Sequence, residues 1–414
     1  MRRLIPERAH LMCPNMELGM VVHVDAPYDA GRMAQALTSA TSSHPELRSR
    51  VLADDEGFHL VDDGADVICV ETGSDPLEAF ACETARPHDV TAGGLLRALV
   101  HVGTAEEGFD LVAIANRVVV SGHALRGVIE RVIDTYMGGS TASEPAGHES
   151  PADLSHLAPR GVAKANDAWE REKDPLTWDD YLTFADGFSD AHVVAHAQVM
   201  LERSETDDLR RRCEMAGVSV TSAAVAAASL AFEAPSADLA FDADGDLAVD
   251  AAPLVRVDCT GGAGDYRART SSVERKSRRL LSSTRDRLRR AAAYQAMDPA
   301  LVDVLAAAAL GGHGSDAARR AAALVGLGPE PSGLAVEDLG AMGTRDVSAA
   351  LLVPTASPAY ATTVGLVEAG GRLGICTSSY LPADESQARL DTMAGLMTSV
   401  QRSWPWKTWK DLLR

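Results

Sequence analysis

The sequence predicts a mixed α/β protein built as two lobes, and three observations carry that expectation. The chain has 414 residues, more than one ordinary domain takes, so two packed units are the natural arrangement. Strand-like and helix-like hydrophobic periods alternate in both halves. Between the halves, residues 138–159 are dominated by Gly, Ser, Pro, Asp and Glu, which is linker composition. The expected organisation is an N-terminal lobe over 1–165, a linker over 166–190 and a C-terminal lobe over 191–414.

In the first half, residues 20–24 form a short apolar strand. A helix over 29–42 follows, with Met33, Leu37 and Ala40 at helical spacing. His44-Pro45 ends it, because proline disfavours the helical conformation of the residue before it. Strands over 47–52 and 58–61 flank the turn Asp54-Asp55-Glu56-Gly57, and 75–82 is a short helix. Strands over 95–102 and 109–115 pair across an acidic, Gly-containing loop, and a helix over 124–136 ends near Gly138-Gly139. Trp169 and Trp178 predict that part of the following stretch packs down.

The second half opens with a strand over 191–201. Ser204-Glu205-Thr206-Asp207 starts a helix with an N-cap serine and an acid three residues on, and Gly217 closes it. The helix over 221–232 is almost wholly small or apolar, so it is expected to be buried. Residues 247–258 read as a strand and 271–310 as a long helical region. Strands follow over 333–336, 347–353, 360–367 and 372–377, then a final helix over 384–400. No internal repeat is evident.

The net charge of −20 argues against nonspecific binding to nucleic acid or anionic membranes. The six cysteines, at 13, 69, 82, 213, 259 and 376, include no CxxC pair. Reduced thiols are expected rather than a disulfide framework or a metal site. The first residues lack the apolar core of a signal peptide, and no apolar run is long enough to span a bilayer. A cytoplasmic monomer is the expected state.

The stretch with most chemistry in question is Asn116-Arg117-Val118-Val119-Val120-Ser121-Gly122-His123, at the turn from a strand to a helix. Other stretches accompany it in order. They are Asp29-x-x-x-Met33-x-x-x-Leu37 with His44-Pro45-Glu46-Leu47-Arg48, and Arg86-Pro87-His88-Asp89 running on to Gly94-Leu95-Leu96-Arg97-Ala98. Then come Gly217-Val218-Ser219-Val220-Thr221, Val255-Arg256-Val257-Asp258, Val336-Glu337-Asp338-Leu339-Gly340, and the run from Gly371 to Tyr380. Over most of the chain, this series resembles the superfamily of chloramphenicol acetyltransferase, nonribosomal peptide condensation domains and alcohol acetyltransferases. That superfamily carries His-His-x-x-x-Asp-Gly at the strand-to-helix turn.

The resemblance implies two chloramphenicol-acetyltransferase-like lobes meeting in a V, with a channel between them. An acyl thioester, on coenzyme A or on a carrier protein, enters from one side and a small-molecule acceptor from the other. No covalently bound cofactor is implied. In the family the second motif histidine is the general base, the aspartate is structural and commonly pairs with an arginine, and the glycine permits the tight turn. Here those positions carry Asn116 for the first histidine, Arg117 for the second, Ser121 for the aspartate and Gly122 for the glycine. His88 stands where the family has phenylalanine, and Gly94 where it has proline. A guanidinium stays protonated and has no acceptor lone pair, so Arg117 cannot be a base. General-base catalysis is worth about 10²–10⁴ in rate, whereas positioning can contribute about 7–11 kcal/mol. A site that still bound both substrates would retain only residual transfer, to acceptors that need no deprotonation.

Three functions stay open at this point. The first is a catalytically impaired or noncatalytic protein of the acyltransferase fold. The second is an active thioester-dependent O- or N-acyltransferase with a relocated base such as His123, or with an already nucleophilic acceptor. His101, His192 and His196 read as surface or satisfied core histidines. The third is an interaction protein that uses the tail Trp404-Pro405-Trp406-Lys407-Thr408-Trp409-Lys410. Arg117 itself, if it points inward, needs either an internal partner or an anionic ligand held by its fork. Glu337 and Asp338, in place of the family's Ser-Asn, are the candidate partners. The run of arginines between Arg275 and Arg290 could attract phosphates or an acidic carrier protein, but it reads first as a solvated helix face.

Overall fold

The computed structural model describes residues 2–4, 11, 15–54, 57–62, 67, 69–86, 88–103, 108–139, 158–172, 192–216, 219–234, 236–240, 254–258, 292–293, 296–298, 301, 315–325, 333–356 and 360–399. The Trp-rich tail, the arginine run between 275 and 290, Cys259 and Trp178 lie outside the described residues, as do Gly217 and most of the long helix expected over 271–310.

The first half builds a five-stranded sheet. Its strands are β2 (Glu17–Val24), β5 (Cys69–Thr72), β6 (Leu96–Val102) and β7 (Phe109–Asn116). The fifth is β12 (Val347–Val353), and the order is β12-β2-β7-β6-β5. β12 comes from sequence beyond residue 191 and pairs antiparallel with β2, so the C-terminal half completes the N-terminal sheet. One face is apolar at alternate positions (Leu18, Met20, Val22 on β2; Leu111, Ala113, Ala115 on β7) and packs on helices α1 (Ala30–Ser42) and α3 (Gly122–Tyr136). Asp29 caps α1, its side chain accepting from Arg32 N at 2.9 Å. A small sheet of β1 (Arg2–Arg3), β4 (Gly57–Asp62) and β3 (Ser49–Asp54) lies alongside. Helix α2 (Pro76–Thr84) covers part of the opposite face of the five-stranded sheet, where Phe80 reaches Gly19 so closely that a β-carbon there would stand 2.1 Å from the ring.

The second sheet has six strands, in the order β10-β9-β11-β13-β14-β8. They are β8 (Ala195–Leu201), β9 (Ser236–Ala240), β10 (Leu254–Asp258), β11 (Leu334–Ala341), β13 (Thr362–Ala369) and β14 (Arg372–Ser379). β11 runs parallel to both β9 and β13, and the remaining pairs are antiparallel. Helices α5 (Arg203–Ala216), α6 (Val220–Ala231) and α8 (Ala383–Ser399) bury their apolar sides around Val336, Val364, Leu366 and Ile375. α5 begins at Arg203, two residues earlier than the serine cap predicts. The Glu205 carboxylate instead accepts from Glu202 N at 3.0 Å, satisfying one of the donors that a helix start leaves free.

Trp169 does pack down. It is buried in helix α4 (Arg160–Glu172), which crosses position 165 and sits against α7 (Asp316–Val325) and Met297. Neither helix is among the elements the sequence predicts, although Val162, Ala165, Ala168 and Trp169 recur at helical spacing in α4. Cys69, Cys82, Cys213 and Cys376 carry free thiols. No described helix is long and apolar enough to cross a membrane.

The two sheets join through a mixed apolar cluster. Val21, Val112 and Ile114 of the first sheet meet Phe80 of α2, Leu351 and Val353 of β12, and Cys376 and Met200 of the second sheet. β12 crosses the second sheet at backbone distance. A β-carbon on Gly374 would stand 1.9 Å from the Ala350 carbonyl oxygen, and one on Gly365 2.3 Å from that of Leu352. Backbone on both sides cannot yield, so Gly374→Ala is expected to cost about 2 kcal/mol through overpacking. Chemical denaturation measures it, and a loss within about 0.5 kcal/mol, the ordinary surface range, would contradict the crossing.

Candidate functional site

Strand β7 ends at Asn116, and Arg117 to Val119 turn the chain into α3. Three successive valines, Val118, Val119 and Val120, are buried, which ties the turn into the core of the first half. Asn116 shapes its start, the side-chain oxygen accepting from Val118 N at 3.0 Å as an Asx turn does. Arg117 N donates to Met16 O at 2.9 Å. Ser121 is the N-cap of α3, its hydroxyl accepting from Ala124 N at 3.1 Å. Ser121 thus keeps the helix start even though no carboxylate stands there.

Arg117 points inward and is 8% exposed. Its Nη1 donates to both carboxylate oxygens of Glu337, at 2.9 Å and 3.1 Å. Glu337 lies on β11 of the second sheet and is 6% exposed, so this is a buried ion pair joining the two halves. Gly122 admits the carboxylate, since a β-carbon there would stand 2.4 Å from Glu337 Oε1 and 2.9 Å from Leu339 Cδ2. The carboxylate therefore rests against the first turn of α3, where the helix dipole favours negative charge. Asp338 points elsewhere. It accepts from the Thr221 hydroxyl of α6 and from Gly340 N at 2.8 Å. Further along, Arg126 donates to the Leu339 carbonyl, and Glu130 Oε1 accepts from Gly343 N at 2.7 Å. Helix α3 is thereby fastened to β11 and to the turn that follows it. His123, half-buried in the first turn of α3, belongs to neither contact with Glu337.

A second polar group adjoins the motif. Glu17 faces Asn116 across the β2–β7 pairing. Its Oε1 accepts from His88 N at 2.8 Å and from Asn116 Nδ2 at 3.4 Å. Its Oε2 accepts from His88 Nδ1 at 2.6 Å. Burial raises the Glu17 carboxyl, but the hydrogen bonds and charge of His88, with a smaller contribution from Arg97, outweigh it and hold it below its ordinary 4.5. The substitution at His88 was visible in the sequence, but its partner was not, because Glu17 is 71 residues away. A lone glutamate opening an apolar strand gives no signal of its own.

The other histidines separate by environment. His196, on β8, bonds through Nδ1 to Ser378 Oγ at 3.0 Å and stands edge-on to Phe80. Burial pushes it down to about 4. His192 makes an edge contact with Tyr380, and His101 lies on β6 opposite Asp110 of β7, away from the motif turn. Among the described residues no group of three His, Cys, Asp or Glu could hold a metal ion.

No family model matches the chain, and no curated protein matches it significantly in sequence. Solved structures do match. Polyketide synthase associated protein 5 from Mycobacterium tuberculosis superposes with a TM-score of 0.60 at 14% identity, over 97% of this chain and 98% of that one. The fold is that of condensation domains and acetyltransferases. A trichothecene 15-O-acetyltransferase from Fusarium sporotrichioides gives a TM-score of 0.63 at 12% identity, over 96% and 94% of the two chains. A nonribosomal peptide synthetase cyclization-docking bidomain from Sorangium cellulosum gives 0.62 at 14% identity, over 98% and 85%. The condensation-domain fold thus spans essentially the whole chain, as the ordered series of short sequence resemblances implied.

Proposed function

We propose that this chain is a catalytically impaired or noncatalytic protein of the condensation-domain and acetyltransferase fold, one that has exchanged the family's general base for a structural ion pair. The observation that carries this reading is the buried Arg117–Glu337 pair. The residue that the resemblance aligns with the base is a permanent cation already engaged by two carboxylate oxygens. It has no lone pair to accept a proton, and its Nη1 is already committed to Glu337. The donor consistent with the fold is an acyl thioester, on coenzyme A or a carrier protein, and the acceptor a small alcohol or amine.

The test is acyl transfer from acetyl-coenzyme A to a panel of small alcohols and amines by the full chain, alongside calorimetric titration with coenzyme A. Transfer is expected at no more than a residual rate, about 10²–10⁴ below a base-assisted one. Efficient turnover of unactivated alcohols would overturn the reading. Its loss in His123→Ala would then assign the base to His123.

A further inference from the structure

We propose that His88, held by Glu17, is the acid–base group through which this protein's remaining transfer chemistry runs, with a hydroxyl-bearing acceptor bound at Nε2. This rests on the acyl-thioester reading above and names the atom that reading leaves open.

Four observations meet at this pair. The 2.6 Å contact from Nδ1 to Glu17 Oε2 commits the Nδ1 proton to the carboxylate, so that in the neutral ring Nε2 is the nitrogen that can accept a proton. Glu17 is itself immobilised by three donors (His88 N, His88 Nδ1 and Asn116 Nδ2) and stays ionised at neutral pH. It therefore orients the ring and offers a counter-charge to an imidazolium, the two services a carboxylate gives to a catalytic histidine. The imidazole is 2% exposed, and among the described residues Nε2 has no hydrogen-bond partner. A buried polar atom without a partner is costly, and a bound polar group removes that cost. Finally, Glu17 and Asn116 lie on the sheet face that carries Val21, Val112 and Ile114, the side packed against the second sheet. The dyad is therefore one hydrogen bond from Asn116, at the turn the resemblance marks as the reacting centre.

The step balances without a further reagent. The acceptor O–H bond breaks and its proton goes to His88 Nε2 as the oxygen bonds to the thioester carbonyl carbon. The C–S bond then breaks, and His88 returns the proton to the departing thiolate. Arg97, which also bears on Glu17, is the other charged group that influences the dyad.

The experiment uses the full chain with acetyl-coenzyme A and 1-butanol, reading butyl acetate directly. Slow ester formation above buffer is expected, falling at least tenfold in His88→Gln. In Glu17→Gln the pH dependence of the rate changes along with its size, because the carboxylate partner of the ring is gone. A merely structural role for Glu17 would not move the pH dependence. Since His88→Gln alters a buried site, ring ¹⁵N spectra of the wild-type chain provide the second measurement, in which His88 Nε2 shifts when 1-butanol and acetyl-coenzyme A are added. Three results would overturn the inference: no ester from the wild type, an unchanged rate in folded His88→Gln, or an unmoved Nε2 signal. The first of these leaves the proposed function standing. Efficient transfer abolished by Arg117→Lys but not by His88→Gln would defeat both.

Discussion

Arg117→Ala is expected to lower the unfolding free energy by about 3–5 kcal/mol, the usual cost of stranding one member of a buried ion pair. Glu337 would keep its place against the first turn of α3, with its carboxylate buried and its Arg117 partner gone. The helix dipole offsets at most about 2 kcal/mol of that. The loss also loosens the junction, since the pair fastens the turn of the first half to a central strand of the second. Equilibrium denaturation with a two-state check measures it. A loss below about 1 kcal/mol would place the pair with exposed salt bridges, which contribute little.

The second large effect is in acid. His196 is favoured neutral in the fold, its value driven by burial from 6.5 to about 4. Between those values the unfolded chain binds the proton and the folded chain does not, so stability rises with pH across the window. Going down, the contribution is intact above about pH 6.5, drains away as pH falls and is gone below about pH 4. A shift of that size corresponds to about 3 kcal/mol. The residue keeps partial exposure, which screens part of it, so about 2–3 kcal/mol is expected. The measurable form is a comparison. From pH 7 to pH 4 the wild type should lose that much more stability than His196→Gln, which keeps a polar contact for Ser378 but does not titrate. Parallel curves for the two proteins would contradict the assignment. Glu17 acts with the same sign but at lower pH, because its depressed carboxyl titrates below its ordinary 4.5.

Much of the fold was legible because its strands are short apolar runs bounded by turn residues. The strand pair over β6 and β7, the α3 helix and the late hairpin of β13 and β14 follow from periodicity alone. What periodicity could not show is which strand joins which sheet. β12 reads like any other apolar strand, and its placement beside β2 depends on Gly365 and Gly374 allowing a backbone crossing hundreds of residues from its partner. The site divides along the same line. Chemistry forbidden by residue type, an arginine as base, is visible in the sequence. The choice of Glu337 over Asp338 as its partner is set by strand geometry, because neighbouring residues on β11 face opposite ways. The Glu17–His88 pair is long-range and left no local trace.

The three residues that the resemblance aligns with the motif's histidines and aspartate make structural contacts in this chain. Asn116 forms the turn and bonds Glu17, Ser121 caps α3, and Arg117 pairs with Glu337. Gly122, which the family's turn already requires, here also makes room for the Glu337 carboxylate. The motif turn is kept by a different set of contacts from those the family resemblance implies.

The most direct measurement is a double-mutant cycle on stability using Arg117→Ala, Glu337→Ala and the double variant. If Arg117 is a structural cation whose partner is Glu337, the coupling energy is about 2–3 kcal/mol, within the range found for contacting residues. The double variant should then be more stable than the sum of the single losses predicts. Additive losses, with coupling inside about 0.5 kcal/mol of zero, would mean that the two side chains do not depend on each other, and would return Arg117 to the list of groups free to act on a ligand.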